Sequence, residues 1–145
     1  MVGLMTLTWA WAENTLAMTI GVISKYGGPI RGYDEPPVSM KKRIACLRRA
    51  LTDLAILEPL QKEGYALAVL FKELAPRRNQ FVHSAAWQVE HGGFESTGVR
   101  VRAGQNTVED HRFDQADAVR LNVEIAKLQD DAAVFMAKVC AIFDP

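Results

Sequence analysis

Apolar residues recur at helical spacing along most of the chain. Leu4, Leu7, Trp11, Met18 and Val22 form one row, and Trp9, Leu16, Ile20 and Ile23 widen the apolar surface until Gly27-Gly28-Pro29 stops the pattern. This predicts a first helix. Residues 29–38, with Gly32, Pro36 and Pro37, have the composition of an ordered loop, and Ser39 is placed to cap a second helix. Ile44, Leu47, Leu51 and Leu54 then make a one-sided stripe. The same segment carries Lys41, Lys42, Arg43, Arg48 and Arg49, with no acid between Pro36 and Thr52, so this second helix should have a basic outer face.

Glu58-Pro59 marks a break, after which Leu67, Leu70, Phe71 and Leu74 set up a third helix running to about Ala86. Pro76 interrupts it. Proline removes a helical hydrogen bond and clashes with the preceding turn, which predicts a kink near Ala75 or a fresh helix start at Pro76. From Trp87 to Arg112 the period changes. Val99, Val101 and Ala103 alternate with Arg100 and Arg102 between glycines 92, 93, 98 and 104, the pattern of a short β-hairpin or flap. Asp114 is a candidate cap for the last helix and Asp117 falls in its first turn, with Leu121, Ile125, Leu128, Ala132, Phe135, Val139 and Ile142 along one face. The expected architecture is all-α: a single domain spanning 1–145, an up-and-down four-helix bundle with a small β excursion before the closing helix.

Composition narrows the function classes. At 145 residues and 49% apolar content the chain suits one globular domain, and 17 Lys+Arg against 17 Asp+Glu exclude both a uniformly basic coat and an acidic tail. A site for a polyanion must come from local clustering. Cys46 and Cys140 lie far apart without redox or zinc spacing, which fits small buried hydrophobes in a reducing compartment. The first 25 residues lack a basic leading region and carry Glu13 and Asn14 before their most apolar run, so neither a signal peptide nor a membrane span is expected and a cytoplasmic location is.

Candidate chemistry is reached by elimination. His83, His91, His111 and the two cysteines show no paired zinc spacing, and no Glu has a His three residues later as a di-iron bundle requires. Phosphate-loop and nucleophile-elbow motifs are missing as well. No metal and no cofactor are expected. What remains is Arg78-Asn79-Gln80-Phe81-Val82-His83. On a helix Asn79 and His83 stack on one face, with Arg78 about 100° round from Asn79. Extending the Phe71 and Leu74 stripe lands on Arg78, where the pattern asks for an apolar side chain, and a cation there needs an anion or another partner.

An imidazole beside a guanidinium suits cleavage of an RNA phosphodiester. Histidine, with a pKa of about 6.5, takes the 2′-OH proton or protonates the leaving oxygen. Arginine holds the phosphoryl oxygens as charge builds. One histidine does not readily serve as base and acid in a single step, so a two-fold dimer would complete the site. The plainer account of the same residues is a structural helix histidine and a solvated basic face.

With Arg78, Asn79 and His83 so spaced, the chain resembles the HEPN superfamily of small helical domains, whose signature is Arg, four to six residues, then His, often with a polar residue directly after the Arg. The resemblance extends in outline to a leading helix with a mid-helix acid, Glu13, a motif at the end of the third helix, an irregular or β segment, and a long closing helix. It implies a metal-independent endoribonuclease that acts as a homodimer with a composite site, often a toxin or defence effector. Arg78 and His83 would then be catalytic and Asn79 supporting. Pro76, two residues before the Arg, departs from the pattern.

Arg77, Lys41, Lys42, Arg48 and Arg49, together with Arg100 and Arg102, form the candidate RNA-contacting surface. Tryptophans 9, 11 and 87 are more suited to core or dimer packing than to base stacking. Residues 104–145 hold eight acids and four bases, which suits an outer face or a meeting place for a basic antitoxin-like partner. The alternative reading is a catalytically silent HEPN-like module for dimerisation or protein binding.

Overall fold

The computed structural model describes residues 2–83, 85–88, 94–102, 105–113 and 115–144, with side chains described for 3–82 and 115–144. These residues are predominantly helical. Helix α1 (Val2–Val22) runs on into a π-helical turn, Ile23–Gly27, and stops at Gly28, whose φ of 103° suits a residue without a side chain. Its buried row is Met5, Trp9, Ala12, Leu16, Ile20 and Ile23. The leading row of the sequence pattern faces the other way: Leu4, Leu7, Trp11 and Met18 are exposed. Helix α1 is apolar nearly all round, so two rows compete for the core, and the one that meets α4 and Phe71 is buried.

Helix α2 (Met40–Asp53) begins where expected, with the Ser39 hydroxyl accepting from the Lys42 backbone N–H at 3.4 Å. Cys46, Leu47, Ala50 and Leu51 are buried. A 3-10 turn, Ala55–Leu60, holds Pro59 and leads directly into α3 (Gln61–His83). Of the two outcomes expected at Pro76, a kink or a fresh start, the fresh start does not occur: α3 continues through Pro76, and it ends at His83 rather than at Ala86. Pro76 and Lys72 are both exposed, so the helical acceptor that proline leaves unpaired lies on a side open to water. Helix α4 (Gln115–Phe143) buries Leu121, Ile125, Leu128, Ala132, Phe135 and Val139, the face read from sequence, with Asp117 in its first turn; the capping role expected of Asp114 lies outside the described residues.

Cross-helix contacts fix the directions. Glu63 meets Lys138 and Arg77 meets Glu124, so α3 and α4 are antiparallel. The Tyr26 ring lies 6.3 Å from that of Phe143, and a Cβ on Gly27 would meet Phe143 at 3.1 Å and Leu54 at 3.2 Å. Arg31 also pairs with Asp53 at 3.4 Å. The C-terminal ends of α1, α2 and α4 therefore share one pole with the start of α3. Three helices run one way and α3 alone runs back, which corrects the up-and-down order expected from sequence. The connection 28–39 makes the difference. It returns along the bundle, with Ile30 buried and the Pro37 carbonyl accepting from Arg43 Nε at 3.0 Å, so α2 starts again in the direction of α1.

Between α3 and α4 the described backbone pairs antiparallel in the order β1 (Ala85–Gln88), β2 (Phe94–Arg102) and β3 (Gln105–Phe113), with Val99 opposite Val108. Part of the expected flap, residues 89–93, 103 and 104, lies outside the described residues. No helix among the described residues is long and apolar enough to cross a membrane.

Candidate functional site

Arg78, Asn79 and His83 lie in the last two turns of α3, at the pole opposite the Tyr26–Phe143 contact. Leu67, Phe71 and Leu74 bury the stripe below them, and Arg78 is the next residue on it. Its guanidinium carbon sits 6.0 Å from the centre of the Trp9 ring, and Nη1 donates to Asn79 Oδ1 at 2.9 Å. Trp9 itself is buried and packs edge-on against Phe71 at 5.9 Å. The arginine thus covers the last aromatic of the core, half in and half out. Its Nε is buried without a hydrogen-bond partner, and among the described residues no carboxylate pairs with it.

Asn79 is exposed on the neighbouring face. His83 stands one turn further at about 40° from Asn79 and about 140° from Arg78, so Asn79 is the residue that bridges the two directions. The imidazole of His83, like the side chains of Trp87, His91, Arg100, Arg102 and His111, lies outside the described residues. His83 is the last residue of α3.

Arg77 is not free for an external anion. Its guanidinium engages both carboxylate oxygens of Glu124 on α4. Lys41, Lys42, Arg48 and Arg49 are exposed on α2, as the basic face requires. Arg48 lies over the Tyr65 ring at 5.9 Å, and the Tyr65 hydroxyl shares a 2.7 Å hydrogen bond with Thr52. Since α2 and α3 are antiparallel around the Leu51–Gly64 contact, Lys41 and Lys42 occupy the motif half of α2, with Arg48 and Arg49 nearer the other pole. The same arrangement turns the N-terminal ends of α2 and α4 towards the motif, against the single C-terminus of α3, which leaves that pole with a net positive backbone field.

Two residues of this neighbourhood carry no signal in the sequence. Trp9 lies 69 positions before Arg78 in a helix with several equivalent apolar residues. Glu124 is one of several acids on α4, and only the antiparallel packing selects it for Arg77. Of the two cysteines, Cys46 is buried, which pushes its thiol up to about 11, and Cys140 is half-buried and free. Comparison with known proteins found no matching family model, no matching curated protein and no matching solved structure.

Proposed function

We propose that the chain is a HEPN-like, metal-independent endoribonuclease that works as a homodimer. In this reading Arg78 holds the scissile phosphate, His83 transfers the proton to or from the 2′-OH or the leaving oxygen, and Asn79 positions the guanidinium. Attack by the 2′-OH on phosphorus expels the 5′-oxygen and leaves a cyclic phosphate. The second copy supplies the complementary acid or base, and the segment between α3 and α4 acts as a flap beside the motif.

One observation carries the reading. Arg78 is a half-exposed cation without a carboxylate among the described residues, while its neighbour Arg77 is taken up by Glu124. A guanidinium steadied by an aromatic face and one amide keeps donors for a phosphate. Lys41 and Lys42, with the N-terminal ends of α2 and α4 at the same pole, supply the field that draws the backbone in. A toxin or defence role and a neutralising partner on the acid-rich region 104–145 belong to this reading. The catalytically silent module stands against it, favoured by the way Arg78 covers Trp9.

Incubation of the purified chain with assorted RNAs, with and without a chelator, tests the proposal. Cleavage that survives chelation, ends in a cyclic phosphate and is lost in His83→Ala and Arg78→Ala is the expected result. Equal cleavage by the chain and by His83→Ala, or none by either under several conditions, decides for the silent module.

A further inference from the structure

We infer that the outward row of α1 is a self-association face, on which a second copy of the chain packs its own α1 antiparallel. Leu4, Leu7, Trp11 and Met18 are 50 to 58% exposed and fall in one line along the helix. The only charged residue from Val2 to Ser24 is Glu13, which is half-buried and lies on another side of the helix. Thr8 and Thr15 flank the row, but their hydroxyls donate to the carbonyls of Leu4 and Trp11, each at 2.9 Å, so they lose little on leaving water. A lipid surface fits poorly, because an interfacial helix carries lysines and arginines beside its apolar face.

The row matches itself. Opposing two copies antiparallel about a two-fold axis between residues 12 and 13 sets Leu4 over the partner's Gly21, Leu7 over the partner's Met18 and Trp11 over the partner's Asn14. Large meets small where a hole exists, since a Cβ built on Gly21 meets nothing within 4 Å. The indole N–H of Trp11 gains an acceptor in Oδ1 of Asn14, whose Nδ2 donates to Met18 Sδ at 3.5 Å. A contact strip about 30 Å long between helices about 9 Å apart buries on the order of 1,000 Å² in total, the lower range for specific association. The dimer is therefore concentration-dependent. Trp9 and Arg78 lie on the opposite side of α1, so this contact is separate from the one a composite site needs: RNA cleavage tests the nuclease reading, and Gly21→Leu tests this contact alone.

Sedimentation or light scattering of the full chain from micromolar to several hundred micromolar should show the mass double with concentration. Gly21→Leu fills the hole without touching its own fold; it should keep or raise the melting temperature and weaken dimerisation by at least about tenfold. In a Cys140→Ala background, Leu7→Cys combined with Met18→Cys should cross-link two chains under mild oxidation, and Leu7→Cys alone should not. A mass that does not change with concentration, association of Gly21→Leu as tight as that of the native chain, or equal cross-linking by Leu7→Cys alone overturns the inference.

Discussion

Arg78 shows how one residue can serve the core and a ligand at once. Its stem and guanidinium shield Trp9, while its charge has only the Asn79 amide and the ring for company among the described residues. Removing the charge alone, as in Arg78→Met, should cost about 1 kcal/mol or less in urea unfolding, and Arg78→Ala should cost more because it also uncovers the ring. Both should abolish RNA cleavage if the nuclease reading holds. Cys46 gives a second test. Burial raises its pKa from 9.0 to about 11, so the unfolded chain ionises the thiol first and folding stability falls as pH rises through the window from 9.0 to about 11. Urea midpoints should show this alkaline loss in the native chain and a smaller one in Cys46→Ala. The tension at Arg78 is legible in the sequence as a cation on an apolar stripe. Its answer is not, because the partner, Trp9, is set by helix directions and not by spacing.

The elements differ in how clearly the sequence speaks. Helix α4 has a single apolar face and is legible residue by residue, whereas α1 offers two rows, and periodicity cannot choose between them. Pro76 is ambiguous for a related reason: local chemistry allows a kink or a fresh start, and packing through Leu74 and Phe71 on one side with water on the other carries α3 past it without a restart. The α2–α3 contact makes a sharper prediction. A Cβ on Gly64 would lie 2.6 Å from Leu51 Cδ1 and 2.9 Å from Phe135 Cζ, so Gly64→Ala should destabilise by about 1–3 kcal/mol despite its better helix propensity. Ser39→Ala should cost about 1 kcal/mol through the lost cap of α2. On the outer face of α2, if single-stranded RNA lies across it, replacing Lys41 and Lys42 by Gln should lower the log–log salt slope of binding by about 0.7 per contact, while Arg77→Gln should change it little.

At the scale of the whole molecule, the direction of the helices governs what the pole around Arg78 can attract. Nothing in the hydrophobic pattern specifies that direction. A loop such as 28–39 reads as a turn, and it takes contacts such as those of Arg31 with Asp53 and of Tyr26 with Phe143 to show that it carries the chain back along the bundle. The same geometry shapes how the protein reaches its native state. Helices α2 and α3 are joined through a few residues and can pair early, but α1 finds its main partner in α4, more than a hundred residues away. Closing so long a stretch of chain costs entropy before any contact repays it, so folding should be slow for a helical protein, with α1 docking last. Truncating Leu16 should then mainly speed unfolding, and truncating Leu51 should slow refolding. The α1–α4 seam would also be the first to open in hydrogen exchange, releasing the leading helix while the hairpin behind it stays protected.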